Sequence, residues 1–151
     1  MENKIIIEKL VKFSHDDSLS IKNLVSQLGN SYKELTEGDF YEMLNSSSTH
    51  LLIARDVDNQ KIVGMITIIV YRIPYIKKSY LDDFVVDENY RGKGIGTKLF
   101  NKALEVAREK GAEYVDFTSS PEKIQGNKFY EKLGFKKRET NVYRLNLNNA
   151  E

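Results

Sequence analysis

The chain has 151 residues, enough for one domain with a real apolar core, and its 23 Lys+Arg against 22 Asp+Glu leave a net charge of +1. That balance speaks against a general nucleic-acid or membrane-surface binder, and the lack of cysteine removes disulfides, thiolate metal sites and a cysteine nucleophile. His15 and His50 form no ligand-spaced cluster, and the apolar runs at residues 5–7 and 65–70 are too short to span a bilayer, so the expectation is a soluble, cytoplasmic protein without a metal.

Ile5, Ile6 and Ile7 open a first strand that ends near Leu10. Asp16, Asp17 and Ser18 then start a helix whose apolar face is Ile21, Leu24, Val25 and Leu28, and Gly29 caps it. A second, short helix runs from Thr36 through Asp39, Phe40, Met43 and Leu44, and three serines end it. Residues 51–55 and 62–71 read as strands joined around Asp58 and Asn59, a hairpin signal, with Gly64 marking a bulge. Between Arg72 and Lys78 a loop containing Pro74, Tyr75 and Ile76 is expected to cover the sheet.

The next strand, residues 80–86, is aromatic and β-branched, suiting a buried pleated surface. Asp87, Glu88 and Asn89 break it before Arg91-Gly92-Lys93-Gly94-Ile95-Gly96. Leu99, Ala103, Val106 and Ala107 follow at helical spacing, with Phe100 and Leu104 widening the stripe and Gly111 as C-terminal cap. Residues 114–118 form another strand, and Ser119, Ser120, Pro121 and Glu122 start a helix that carries Phe129 and Leu133 and ends at Gly134. Two last strands, including residues 142–147, precede a frayed end at 148–151. The order is strand, two helices, three strands, helix, strand, helix, two strands. It requires a mixed α/β sheet with right-handed crossovers through the two later helices, in one domain over residues 1–151.

A glycine-rich turn at a helix N-terminus offers unpaired N–H donors and the positive end of the helix dipole, both of which favour phosphate or pyrophosphate. The common nucleotide loops do not fit: GxGxxG needs glycine where Thr97 stands, and the Walker pattern needs Gly-Lys-Ser/Thr where the chain has Gly96-Thr97-Lys98. Arg-x-x-Gly-x-Gly after a strand ending Val85-Val86-Asp87 instead resembles the acetyl-CoA loop of the GNAT superfamily of N-acetyltransferases. Asn127, Phe129, Tyr130, Gly134 and Phe135 are similar to that superfamily's C-terminal helix motif.

The resemblance implies the GNAT fold: a single domain with a mixed twisted sheet, splayed central parallel strands and helices on both faces. Acetyl-CoA would lie between the strands at residues 80–86 and 114–118. It implies cofactor-binding roles for the strand backbone of Phe84, Val85 and Val86, for Arg91, Gly92, Lys93, Gly94, Ile95, Gly96 and Thr97 on the pyrophosphate, and for Asn127 and Tyr130 along the pantetheine arm. Tyr130 would also protonate the departing thiolate. Asn127 and Tyr130, three apart, share one side of their helix.

A lysine-like amine must lose its proton before it can attack a thioester, at a cost of about 4.6 kcal/mol at pH 7. Asp82 and Asp83 lie beside the place the resemblance gives the acetyl group. Adjacent strand residues face opposite sides, so only one can line the cleft unless a bulge intervenes; Asp82 is taken first as base and Asp83 second. The acceptor wall is expected from residues 31–40, 73–78 and 140–144, with Tyr32, Glu34, Glu37, Asp39, Tyr75 and Tyr143. Carboxylates with aromatics suit a small cationic amine such as a polyamine or aminoglycoside. The alternatives are a protein or peptide amine acceptor, or a non-catalytic acetyl-CoA-binding regulatory module. No nucleic-acid or membrane partner is expected, and a homodimer is compatible with the resemblance.

Overall fold

The computed structural model describes residues 2–29 and 33–148. Tyr32 of the expected wall and residues 149–151 of the expected frayed end lie outside the described residues. The chain separates into two units, Met1–Phe117 and Thr118–Glu151.

The first unit carries β1 (Ile5–Lys9), α1 (His15–Ser26), α2 (Glu37–Asn45), β2 (Thr49–Asp56), β3 (Lys61–Ile73), β4 (Ile76–Val86), α3 (Ile95–Glu109) and β5 (Val115–Asp116). The strands lie side by side in chain order. β1 to β4 are antiparallel, and β4 pairs with β5 in parallel through the α3 crossover. This is the mixed sheet that the element order requires.

β2 and β3 are buried almost continuously along their length, so both faces of the sheet must be covered. Leu51 and Ile53 on one face join Ile21 and Leu24 of α1, Phe40 of α2, Met65 and Val85 in one cluster. On the opposite face Gly64 pairs with Ala54, and a Cβ at Gly64 would stand 3.1 Å from the Leu99 side chain of α3. A side chain here would press on Leu99, and the bulge expected at this point falls beside Gly64, where the register shifts between Ala54 and Arg55. α3 buries Leu99, Phe100, Ala103 and Ala107, a single stripe at helical spacing.

The helix starts are set by local chemistry. Ser14 and Asp17 form a capping box on α1, as Thr36 and Asp39 do on α2. Arg55 then ties α1 to the sheet, donating to Asp17 at 2.8 Å and to Glu8 at 2.9 Å. Burial pushes the Asp17 carboxyl up, but the hydrogen bonds from Arg55 and Ser14 bring it below its ordinary value.

Two expectations fail in this unit. Residues 72–78 form no covering loop: Arg72 pairs with Lys77 and Ile73 with Ile76, leaving Pro74 and Tyr75 as a tight hairpin tip with Tyr75 82% exposed. Proline at the second position of a turn presets its backbone, so the strands continue to the tip. The strand expected at 114–118 shrinks to Val115–Asp116.

His50 on β2 is buried, and among the described residues neither ring nitrogen has a hydrogen-bond partner. Burial, then the charges of Lys9 and Lys110, lower its pKa to about 4. The unfolded chain takes up this proton near pH 6.5, whereas the folded chain refuses it until about pH 4. Stability is therefore highest above pH 6.5 and falls as pH drops toward 4, by on the order of 3 kcal/mol at most. Urea unfolding at pH 7 and pH 5 should show a smaller difference for His50→Leu than for the wild type; an equal difference would place the pH sensitivity elsewhere.

The second unit holds α4 (Ile124–Lys132), which ends at Leu133 before Gly134 at φ +95°. Pro121 lies in the turn before α4 rather than in its first turn. The two last strands are absent: among the described residues from 118 to 148 there is none, and Val142, Tyr143, Leu145 and Leu147 are exposed. Their alternation has the period of a strand, but a strand needs a ladder partner, and this unit supplies only a helix. One parallel crossover thus stands where two were expected.

Candidate functional site

Across β3 and β4, Met65 pairs with Val85 but Thr67 pairs with Asp82, so Asp83 and Phe84 together oppose Ile66. This is a β-bulge, with Asp83 at φ +49°, a conformation that aspartate tolerates better than most side chains. The Asp83 N–H donates to Asp82 Oδ1 at 2.9 Å, which fixes the bulge locally.

Asp83 lines a cavity of about 300 Å³ together with Ile21, Val25, Met43, Met65 and Thr67; Asp82 is not among its lining residues. Withdrawal from water, then the neighbouring Asp82 charge, pushes the Asp83 carboxyl above its ordinary value while its outer edge stays open to solvent. Of the expected wall, Lys33, Leu35, Asp39 and Phe40 from residues 31–40 line this cavity, whereas Glu34, Glu37, Tyr75 and Tyr143 are not among its lining residues. The Asp39 carboxylate is engaged by the Thr36 N–H at 2.7 Å and the Thr36 hydroxyl at 2.8 Å, and these bonds hold its pKa down.

The parallel ladder between β4 and β5 contains only Ser79 with Val115 and Tyr80 with Asp116; β5 ends there, and β4 continues to Val86 paired with β3. Phe84 packs edge-on against Phe100 of α3 at 4.6 Å, and Phe100 against Phe117 at 5.9 Å, an aromatic row from β4 through α3 to the residue after β5.

Beyond Val86, Asp87 caps the 3-10 turn Glu88–Tyr90 by accepting from the Asn89 N–H. Its other oxygen accepts from Asn23 and Gln27, and the Glu88 N–H donates to Gln27 Oε1 at 3.0 Å. Arg91 folds back so that Nε donates to the Val86 carbonyl at 3.0 Å. Gly92 and Gly94 both lie at φ +76°, and a Cβ on either would meet nothing within 4 Å. α3 starts at Ile95 with no side-chain cap and no acid in its first turn. Among the described residues, no protein acceptor takes a hydrogen bond from the backbone N–H groups of Gly92 to Thr97. A row of free donors at the positive end of a helix is suited to an anion.

A buried carboxylate braces this loop from behind. Asp56, at the end of β2, accepts from Asn3 at 2.6 Å, Asn59 at 2.7 Å and the Tyr90 hydroxyl at 2.7 Å. Burial opposes its ionisation, but these hydrogen bonds outweigh that and hold it well below the carboxylate range. Lys93 Nζ lies 5.0 Å from the centre of the Tyr90 ring, so the loop's cation rests on a ring fixed at its far end. Sequence reasoning singled out none of Asp56, Tyr90, Asn23 and Gln27; the Asp-x-Asp-Asn turn after β2 was the available signal for the first.

In the second unit Asn127 and Tyr130 lie on α4, and Asn127 Nδ2 donates to the Ser120 carbonyl at 3.0 Å. Tyr130 packs against Phe129 and over Gly126, and burial pushes its phenol above the ordinary value.

A family model described as acetyltransferase (GNAT) family matches residues 20–135. An uncharacterized N-acetyltransferase of Methanocaldococcus jannaschii is 35% identical over 58% of this chain and 43% of its own length. A glucosamine 6-phosphate N-acetyltransferase of Trypanosoma brucei brucei is 41% identical over 45% of this chain and 44% of its own. The chain thus spans less than half the length of these two curated relatives. Among solved structures, an aminoglycoside N-acetyltransferase in complex with CoA has a TM-score of 0.80 at 16% identity, covering 97% of both chains.

Proposed function

The chain belongs to the acetyltransferase (GNAT) family, and from that premise we propose that it moves an acetyl group from acetyl-CoA to a primary amine on a small molecule. The observation that carries this reading is the set of free backbone donors from Gly92 to Thr97 at an uncapped helix start, in the same unit as a carboxylate-bearing cavity. Those donors, with Arg91 and Lys93, would take the diphosphate. The backbone of Phe84, Val85 and Val86 would align the pantetheine arm, and Asn127 would orient it. Acetyl-CoA, when bound, supplies an activated thioester.

In the proposed reaction the amine nitrogen attacks the thioester carbonyl carbon and the carbon–sulfur bond breaks. Asp83 accepts the proton that the ammonium sheds before attack, directly or through water; Tyr130 gives its proton to the departing sulfur, and the resulting phenolate recovers one from the new amide nitrogen, directly or through water. The raised pKa of Asp83 makes it a stronger base than an ordinary aspartate, and burial keeps Tyr130 protonated. These roles belong, on this reading, to one catalytic domain over residues 1–151.

Calorimetry with acetyl-CoA, followed by thiol release in the presence of primary amines, tests the reading. Saturable binding with amine-dependent release is the expected result; no binding would overturn it. Gly94→Ala is expected to raise the acetyl-CoA Kd about tenfold with kcat nearly unchanged. The methyl group is strained at φ +76° and extends into the open space over the loop. An unchanged Kd would mean that the diphosphate does not approach this backbone.

A further inference from the structure

The cavity at Asp83 is chemically one-sided. α1 contributes Ile21 and Val25, α2 contributes Phe40 and Met43, and β2 and β3 contribute Leu51 and Met65. Its polar groups are few. Among the described residues, Thr67 and Asp83 sit on the β3–β4 side, Asp39 accepts from Thr36 with one of its two oxygens and is exposed to solvent, and Lys33 is exposed to solvent.

An acceptor must satisfy both parts. Its ammonium group, before it loses a proton, matches the Asp83 carboxylate. The rest of the molecule meets methionine, leucine, isoleucine, valine and phenylalanine side chains. Most sugar hydroxyls would lie there against carbon, which is costly, and the second ammonium of a polyamine would have only the solvent-exposed Asp39 carboxylate, whereas methylene or aromatic carbon gains from burial. A phosphate ester would need a cation within the cavity, and among the described residues Lys33 is its one lining cation.

From this lining we infer that the acceptor is a primary amine carried on an apolar body, an alkylamine or arylalkylamine small enough for about 300 Å³. The inference rests on the proposed acetyl transfer and deepens it by naming the acceptor's chemical class. It departs from the polyamine or aminoglycoside that carboxylates and aromatics in the sequence suggested, because Glu34, Glu37, Tyr75 and Tyr143 do not line the cavity.

The test uses the full chain with acetyl-CoA and a panel of propylamine, butylamine, pentylamine, hexylamine, 2-phenylethylamine, spermidine, an aminoglycoside and glucosamine 6-phosphate. Thiol release is expected to give kcat/KM rising about fourfold per methylene along the alkyl series, the transfer free energy of one CH2 group, until the cavity is full. Met43→Gln, which conserves volume while adding a polar amide, should flatten that slope without changing the acetyl-CoA Kd. Preference for spermidine, the aminoglycoside or glucosamine 6-phosphate over hexylamine would overturn the inference and leave the acetyl-transfer reading standing. So would acetyl-CoA binding with no alkylamine acetylated, or a slope near zero in the wild type. Failure to bind acetyl-CoA at all would remove the reaction itself, and calorimetry separates that outcome from the others.

Discussion

Asp83→Asn is expected to lower kcat/KM for the preferred amine by about 10²–10⁴-fold while leaving the acetyl-CoA Kd unchanged. The amide keeps the shape of the side chain but cannot accept the amine's proton. Asp83 lines the cavity, and partial withdrawal from water together with the Asp82 charge raises its pKa toward the working pH. The sign of the pH effect follows. As pH falls through this raised pKa the carboxyl becomes protonated and wild-type activity drops, and the variant should lose that acidic limb. Asp82→Asn gives the contrasting result: removing the neighbouring charge should shift the limb to lower pH, with a loss below tenfold. pH–rate profiles of the three proteins, with calorimetry for the cofactor, check both. If Asp82→Asn proved the crippled variant and Asp83→Asn the active one, the two roles would be exchanged.

Tyr130→Phe is expected to lower kcat by about 10²-fold with little change in the acetyl-CoA KM. Phenylalanine preserves the contact with Phe129 and the packing over Gly126, so the variant should unfold at nearly the wild-type temperature. Because burial raises the phenol above its ordinary value of 10, Tyr130 should contribute no alkaline loss of activity below that pH. An unchanged kcat would make Tyr130 a packing residue, and a large fall in melting temperature would assign the defect to folding.

Periodicity and turn chemistry made most of the first unit legible. The α1 face at Ile21 and Leu24, the Asp58–Asn59 hairpin and the glycine loop into α3 all stand where the residues place them. Thr36 and Asp39 also read correctly as the start of α2, since a capping box is a local signal. What failed was nonlocal. The alternation of Tyr143, Leu145 and Leu147 marks a segment able to join a ladder but carries no information about a partner, and their unit offers none. The expected wall segment at 31–40 does line the cavity, through Lys33, Leu35, Asp39 and Phe40, but Glu34 and Glu37 look in sequence like any carboxylates, and only the packing of α1 and α2 shows which side chains face inward. Strand parity allows only one of Asp82 and Asp83 to line the cleft, Asp82 being the one expected first; with the bulge opposite Ile66, it is Asp83 that lines the cavity. The Asp56 brace joins residues far apart in the chain, at positions 3, 56, 59 and 90, and no short motif spans them.

α1 touches both parts of the site in the first unit. Ile21 and Val25 face the cavity, while Asn23 and, just past the helix end, Gln27 hold Asp87 and the Glu88 N–H at the root of the glycine loop. A helix moves as a rod, so an amine that displaces α1 also displaces the anchor of the loop on which the nucleotide end of the donor would rest. Thermodynamic reciprocity then fixes the arithmetic: whatever factor the acceptor imposes on donor affinity, the donor imposes on acceptor affinity. Dissociation constants measured for either one alone would then differ from those governing the ternary complex.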